Sequence, residues 1–249
     1  MSGSTCSERS GTPTTVRTKV VLLLAASAGA SRDELRSSLS TAAQHVQDAL
    51  PPGHTSRAGI GVDPAAARSA LDALGSGGRD DFGAPGYQGM VWATGPGGSM
   101  DALVGAIDGV ADLLGDVIEP LTSAAVAGTD EVFLPGDGPL LGLYGIRRRP
   151  GDSYEHFHDF WRLEHTKLSL HIPGFRYRQL HAVGYASEQA AASAGVGVHD
   201  IDGCVEYFFD DLQYQVEMTR LDNFPEIYQD EKNFIDHDRA TFTYVELLD

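Results

Sequence analysis

The chain repeats itself. An offset of 122 residues places Ser31 on Ser153, Leu35 on Phe157, Leu39 on Trp161 and Pro51 on Pro173, without a gap across a predicted helix. The two halves are therefore expected to fold as two units of one kind. The same offset places Ala43 on His165. One copy carries a histidine on the inward face of its first helix and the other does not.

Each half reads as strand, helix, strand, strand, helix, strand. In the first half, residues 19–25 form an apolar strand. Ser31 followed by Glu34 is a capping box that opens a helix, and Pro51-Pro52-Gly53 ends it. Residues 57–62 are a second strand. Residues 63–86 hold a short Ala-rich helical piece and the loop GSGGRDDFGAPG. A strand at 87–94, a single helix over 99–118 and a strand at 131–134 complete the half. After the turn Pro135-Gly136-Asp137-Gly138, the second half gives a strand at 140–147 and a helix over 153–171. A strand at 175–183 follows, with Phe175, Tyr177, Gln179 and His181 on one side. Residues 188–197 are an Ala/Gly-rich excursion. A strand at 203–209, a helix at 212–221 and a strand at 241–247 close the chain. The order βαββαβ is the ferredoxin-like arrangement. The expected organisation is a tail over residues 1–16, a degenerate ferredoxin-like repeat over 17–136 and a second repeat over 137–249. The fold class is α+β, two tandem repeats closing into a pseudo-dimeric α/β barrel.

Charge narrows the function. The 18 Lys and Arg face 35 Asp and Glu, a net charge of −17. Such a field repels nucleic-acid backbones and anionic membranes, so the expected partner is a small molecule. No apolar run is long enough to span a bilayer. Arg17 and Lys19 before VVLLLAASAGAS imitate a short signal peptide, but the repeat needs this run as a strand, and a cytoplasmic location is expected. Two cysteines, Cys6 in the polar N-terminal segment and Cys204 in an apolar run, make neither a disulfide framework nor a thiolate metal site.

The helix over 153–171 carries the chemistry. Tyr154, Phe157, Trp161, His165, Leu168 and Ile172 fall on one face at helical spacing. A histidine within that apolar stripe is either a satisfied core residue or a working acid–base group. His158 lies seven residues before His165, and His181 sits on the next strand. A metal shared among the three lacks a carboxylate at ligand spacing, and nothing resembles HExxH. No metal or cofactor is expected. His156 and His158, near the helix start, are expected to face solvent. The chain has no nucleophile elbow, Walker loop or dinucleotide fingerprint.

Four motifs in order, FWRLEHTKL at 160–168, IPGFRYRQ at 172–179, DGCVEYFFDD at 202–211 and DEKNFIDHDRATFTYVE at 230–246, resemble the EthD family of dimeric α/β-barrel proteins. The resemblance covers about residues 140–248. The family often carries proline two residues after the histidine, where this chain has Lys167, which leaves the helix free to continue. It implies a small-molecule site between the helices and the sheet, with His165 pointing into it. Family members usually pair two such domains from separate chains. A tandem chain supplies both halves itself, as a monomeric pseudo-dimer or as a unit of a homodimer.

The site expected from these readings has His165 as general acid/base and Tyr177 orienting a substrate oxygen. Asp236, at the family's acidic position, would pair with the imidazole. Trp161, Phe157, Tyr207, His158 and His181 would form the binding wall. The blander readings are core packing for the aromatic residues and a helix or strand cap for Asp236. The resemblance implies small, largely hydrophobic, oxygenated substrates of the kind met in polyketide tailoring. The leading expectation is a cofactor-independent lyase or isomerase, of dehydratase or cyclase type. Cofactor-free monooxygenation of an aromatic or polyketide substrate and a non-catalytic binding protein of a degradation pathway are the alternatives.

Overall fold

The computed structural model describes residues 12–74 and 86–248. The first half runs β1 (Thr15–Leu24), α1 (Arg32–Ala49), β2 (Thr55–Gly61), α2 (Pro64–Ala73), β3 (Gly89–Pro96), α3 (Met100–Ala106), α4 (Val110–Leu114) and β4 (Ala124–Leu134). The second runs β5 (Leu140–Ile146), α5 (Tyr154–Phe160), a π-helical turn (Trp161–His165), α6 (Thr166–Ser169), β6 (Arg176–Ala182), α7 (Gly184–Ala194), β7 (Gly203–Phe209), α8 (Leu212–Thr219), α9 (Phe224–Glu231) and β8 (Thr241–Leu248).

The repeat is visible in the atoms that start each half's first helix. Ser31 caps α1 with φ −75° and ψ 156°, and Ser153 caps α5 with φ −76° and ψ 156°. Each hydroxyl accepts the backbone N–H three residues on, from Glu34 at 3.2 Å and from His156 at 3.1 Å. Such a cap stabilises its helix by about 1 kcal/mol. Glu34 completes the capping box by accepting the Ser31 N–H at 2.9 Å.

The described strands close into an antiparallel barrel in the order β1-β3-β2-β8-β5-β7-β6-β4. Each half contributes a four-stranded ferredoxin-like sheet, and the two sheets join edge to edge at both seams. At each seam the second strand of one half pairs with the fourth of the other: β2 with β8, β6 with β4. Closure removes the free edges that two separate sheets would expose. The barrel interior is apolar at one level, around Val21, Leu23, Met90, Leu143, Leu180 and Phe208. Elsewhere it holds a buried ion pair. Lys19 on β1 binds both carboxylate oxygens of Glu206 on β7, and neither side chain is more than 1% exposed.

Several elements differ from the sequence expectation. β1 begins at Thr15, inside the stretch read as a tail, and lies between β3 and β4 as an interior strand. The single helix over 99–118 is broken in two at Gly109, whose left-handed φ of 67° favours glycine. β4 starts at Ala124 rather than 131, because its Ala- and Gly-rich start carries little strand propensity. The Ala-rich excursion is helix α7. Its small buried residues Ala186, Ala190, Ala191 and Ala194 join the core of the first half. α9 has no counterpart in the sequence reading. The Gly-rich loop at 75–86 falls almost wholly outside the described residues, as does Cys6. Cys204 faces the barrel interior as a free thiol, and burial pushes it up to about 12, which keeps it protonated.

Candidate active site

The helices of the two halves cover their sheets differently. Over the first sheet, α1 is regular for 18 residues, and Leu35, Leu39, Ala42 and Val46 pack on Val20, Leu22 and Val91 in one apolar core. Over the second sheet, the corresponding helix widens into the π turn from Trp161 to His165. The Thr166 N–H reaches back five residues to the Trp161 carbonyl, and the Thr166 hydroxyl donates to the same oxygen at 2.8 Å. A π turn rotates the side chains that follow it relative to a regular helix. His165 stands at its end.

His165 is 5% exposed, and its ring lines a cavity of about 70 Å³ between the helices and the second sheet. That is room for several waters or a small part of a ligand. Nδ1 donates to Oδ2 of Asp230, on the last turn of α9, at 2.8 Å. This bond holds the Asp230 carboxyl below the usual carboxylate range, with a further hydrogen bond from Asn233 at 3.2 Å. The carboxylate fixes the tautomer and leaves Nε2 as the nitrogen available to a ligand. Rings of Trp161, Phe175, Tyr207 and Phe242 make most of the wall apolar.

Tyr177 reaches the same cavity from β6. Its phenol oxygen accepts the Trp161 Nε1–H at 3.1 Å and a Gln179 Nε2–H at 2.8 Å. Two N–H groups occupy the oxygen's lone pairs, which leaves its own proton to donate, and the Thr166 hydroxyl is a further hydrogen-bonding neighbour of the phenol. Burial pushes the phenol up to about 12, so it remains a donor at neutral pH. Gln179 is held in turn. Its Oε1 accepts from His181 Nε2 at 2.9 Å, so His181 Nδ1 accepts from His158 Nδ1 at 2.7 Å. Burial lowers His158 to about 4 and His181 well below its ordinary value, which keeps both imidazoles neutral.

His165, Tyr177, Trp161 and Tyr207 of the expected set meet at one cavity. The others do not. Asp236 lies away from the imidazole; its carboxylate is 3.7 Å from Arg239, and Asp230 holds the place expected for it. Phe157 is fully buried against Phe234 and Ile146, a core residue. His158 and His181 lie behind Trp161, with the His181 ring 4.5 Å from the indole, and do not line the cavity. His158 is buried rather than solvent-facing. Neither joins His165, and among the described residues no group of three or more His, Cys, Asp or Glu is spaced to hold a metal ion. Asp230 and Glu231 were not singled out by sequence, and His237 only as a neighbour of Asp236 and Asp238 ahead of the last strand. The only signal for them was the acidic-aromatic segment 230–246, which has no periodicity to aim its side chains.

Comparison with known proteins bears on the fold and on the second half. Residues 149–238 match the family profile described as the EthD domain. No curated protein matches the chain. Among solved structures, an anthrone oxidase-like protein superposes with a TM-score of 0.58 at 10% identity, covering 94% of this chain and 92% of that one. A candidate chlorite dismutase, TA0507, gives 0.53 at 13% identity, covering 94% and 96%. A candidate monooxygenase from Lactobacillus acidophilus NCFM gives 0.50 at 12% identity, covering 94% of both chains. At these identities the likeness is one of fold. No helix among the described residues is long and apolar enough to cross a membrane. The chain thus folds as a closed eight-stranded barrel of two ferredoxin-like halves, and most of the second half matches the EthD domain profile.

Proposed function

We propose that the second-half cavity is the active site of an enzyme acting on a small, largely hydrophobic, oxygenated molecule, as a lyase or isomerase. The observation that carries this reading is the His165–Asp230 bond at 2.8 Å beside an otherwise apolar cavity. Nε2 of His165 takes a proton from carbon next to a carbonyl and returns it elsewhere on the substrate. Asp230 stabilises the imidazolium formed in between. The Tyr177 O–H donates to the carbonyl oxygen as it gains enolate charge, in surroundings that exclude water. The test is exchange of the α-protons of a small aryl ketone in deuterated buffer. His165→Ala is expected to lower it roughly a thousandfold while the fold persists. A folded variant with full exchange would sink the role of His165.

A second reading is cofactor-free oxygenation of an activated aromatic. It draws support from the names of two fold neighbours, one anthrone oxidase-like and one a candidate monooxygenase. The same base would generate a substrate anion that reacts with dioxygen. Oxygen uptake equal to substrate consumed marks this reading, and turnover without oxygen uptake marks the first.

A further inference from the structure

Asp230 and Glu231 are successive residues in the last turn of α9. Their side chains leave the helix about 100° apart, so they serve different neighbours. Asp230 reaches His165. Glu231 reaches His237, with Oε2 3.5 Å from Nε2. Glu231 is 8% exposed, and both it and His237 line the cavity that His165 lines. The rings of Tyr228 and Tyr144 flank His237, at 5.3 and 6.5 Å between centroids. Two carboxylates in the last turn face the negative end of the helix dipole, which disfavours each by about 0.3–1 kcal/mol. Each of the two carboxylates is met by an imidazole, and both imidazoles, with Glu231, line one small, largely apolar space.

A reaction that moves one proton between neighbouring atoms needs one such pair. Two pairs suit a reaction that removes a proton at one atom and delivers one at another. We propose, building on the role given to His165 above, that Glu231 and His237 form the general acid of a dehydration, and that the substrate class is a β-hydroxy ketone. Nε2 of His165 takes the proton from the carbon between the carbonyl and the hydroxyl-bearing carbon. The C–H electron pair becomes the new C=C bond as the C–O bond to the hydroxyl breaks. The departing oxygen takes its proton from the Glu231–His237 pair and leaves as water. Enone and water are the products. The proton gained at His165 and the one lost from the pair are balanced by exchange with solvent. Tyr177 holds the carbonyl oxygen throughout.

The experiment uses the full chain and one probe, β-hydroxy-β-phenylethyl methyl ketone, in deuterated buffer. Proton NMR reads α-exchange and enone formation in the same tube. Glu231→Gln is expected to lower enone formation roughly a hundredfold while α-exchange falls far less. His237→Gln is expected to give the same split, and serves if the first variant does not fold. His165→Ala is expected to lose both. Enone formation at the wild-type rate in Glu231→Gln and His237→Gln overturns the proposal, as does an equal loss of exchange and enone in either folded variant. A wild type that exchanges but forms no enone overturns the dehydration and leaves His165 as a base. Exchange retained in His165→Ala overturns the reading of His165 itself.

Discussion

Nδ1 of His165 and Oδ2 of Asp230 lie 2.8 Å apart, joining residues 65 positions apart in the chain. The bond does three things at once. It fixes the tautomer, it keeps Asp230 ionised, and it ties α9 to the helix that opens the second repeat. An amide in place of the carboxylate keeps the shape and removes the charge. Asp230→Asn is expected to slow proton transfer by about a hundredfold or more. Asp236→Asn, on the same segment but paired with Arg239, is expected to leave it unchanged. Exchange of ketone α-protons measures both.

His158 makes the fold sensitive to acid. Burial is the largest cause of its lowered pKa, with Arg162 and Arg148 adding to it, and takes it from 6.5 to about 4. Between these values the unfolded chain binds a proton at this site and the folded chain does not, so stability is greatest above pH 6.5 and falls as pH drops toward 4. The loss attached to this one group is about 3 kcal/mol at most. His158→Gln is expected to flatten the stability curve across that window. Urea denaturation at a series of pH values measures it. An unchanged slope would place the sensitivity elsewhere.

Lys19 and Glu206 join the two repeats through the barrel interior. Lys19→Met leaves a buried carboxylate without its partner and is expected to destabilise the chain by about 3–5 kcal/mol. The double variant Lys19→Met, Glu206→Leu removes both charges and is expected to recover most of that loss. A double-mutant cycle in denaturant separates the pairing from the burial cost.

Gly203 opens β7 where Trp161 needs space. A Cβ there would stand 2.6 Å from the indole Cζ3 and 2.7 Å from the Leu180 carbonyl. Gly203→Ala is expected to cost about 1–3 kcal/mol and to push the indole off Tyr177. Near-ultraviolet circular dichroism reports the tryptophan, and thermal melting reports the stability.

How much of this was legible beforehand follows from the range of the forces involved. Ser31 with Glu34 marked a helix start because capping is decided within four residues. Phe175, Tyr177, Gln179 and His181 were placed on one side of a strand by alternation alone, and two of them now form one hydrogen-bonded chain to Tyr177. Gly109 broke a helix that its apolar pattern would have continued. Ala186, Ala190 and Ala194 gave too weak a pattern to read as a helix and gained their order from the core they join.

By itself the sequence determined the repeat, the βαββαβ order and the inward histidine, because these rest on spacing along one chain. Where His165 points and which group it bonds were decided by tertiary structure. The π turn that aims it depends on which carbonyls remain satisfied once the helix packs, and Thr166 caps the one at Trp161. The sequence pointed to Asp236 as the partner of His165; the carboxylate that bonds it, Asp230, lies six residues earlier, on a segment without periodicity. Only the docking of α9 against the second helix layer brought Asp230 to the imidazole and turned Asp236 toward Arg239.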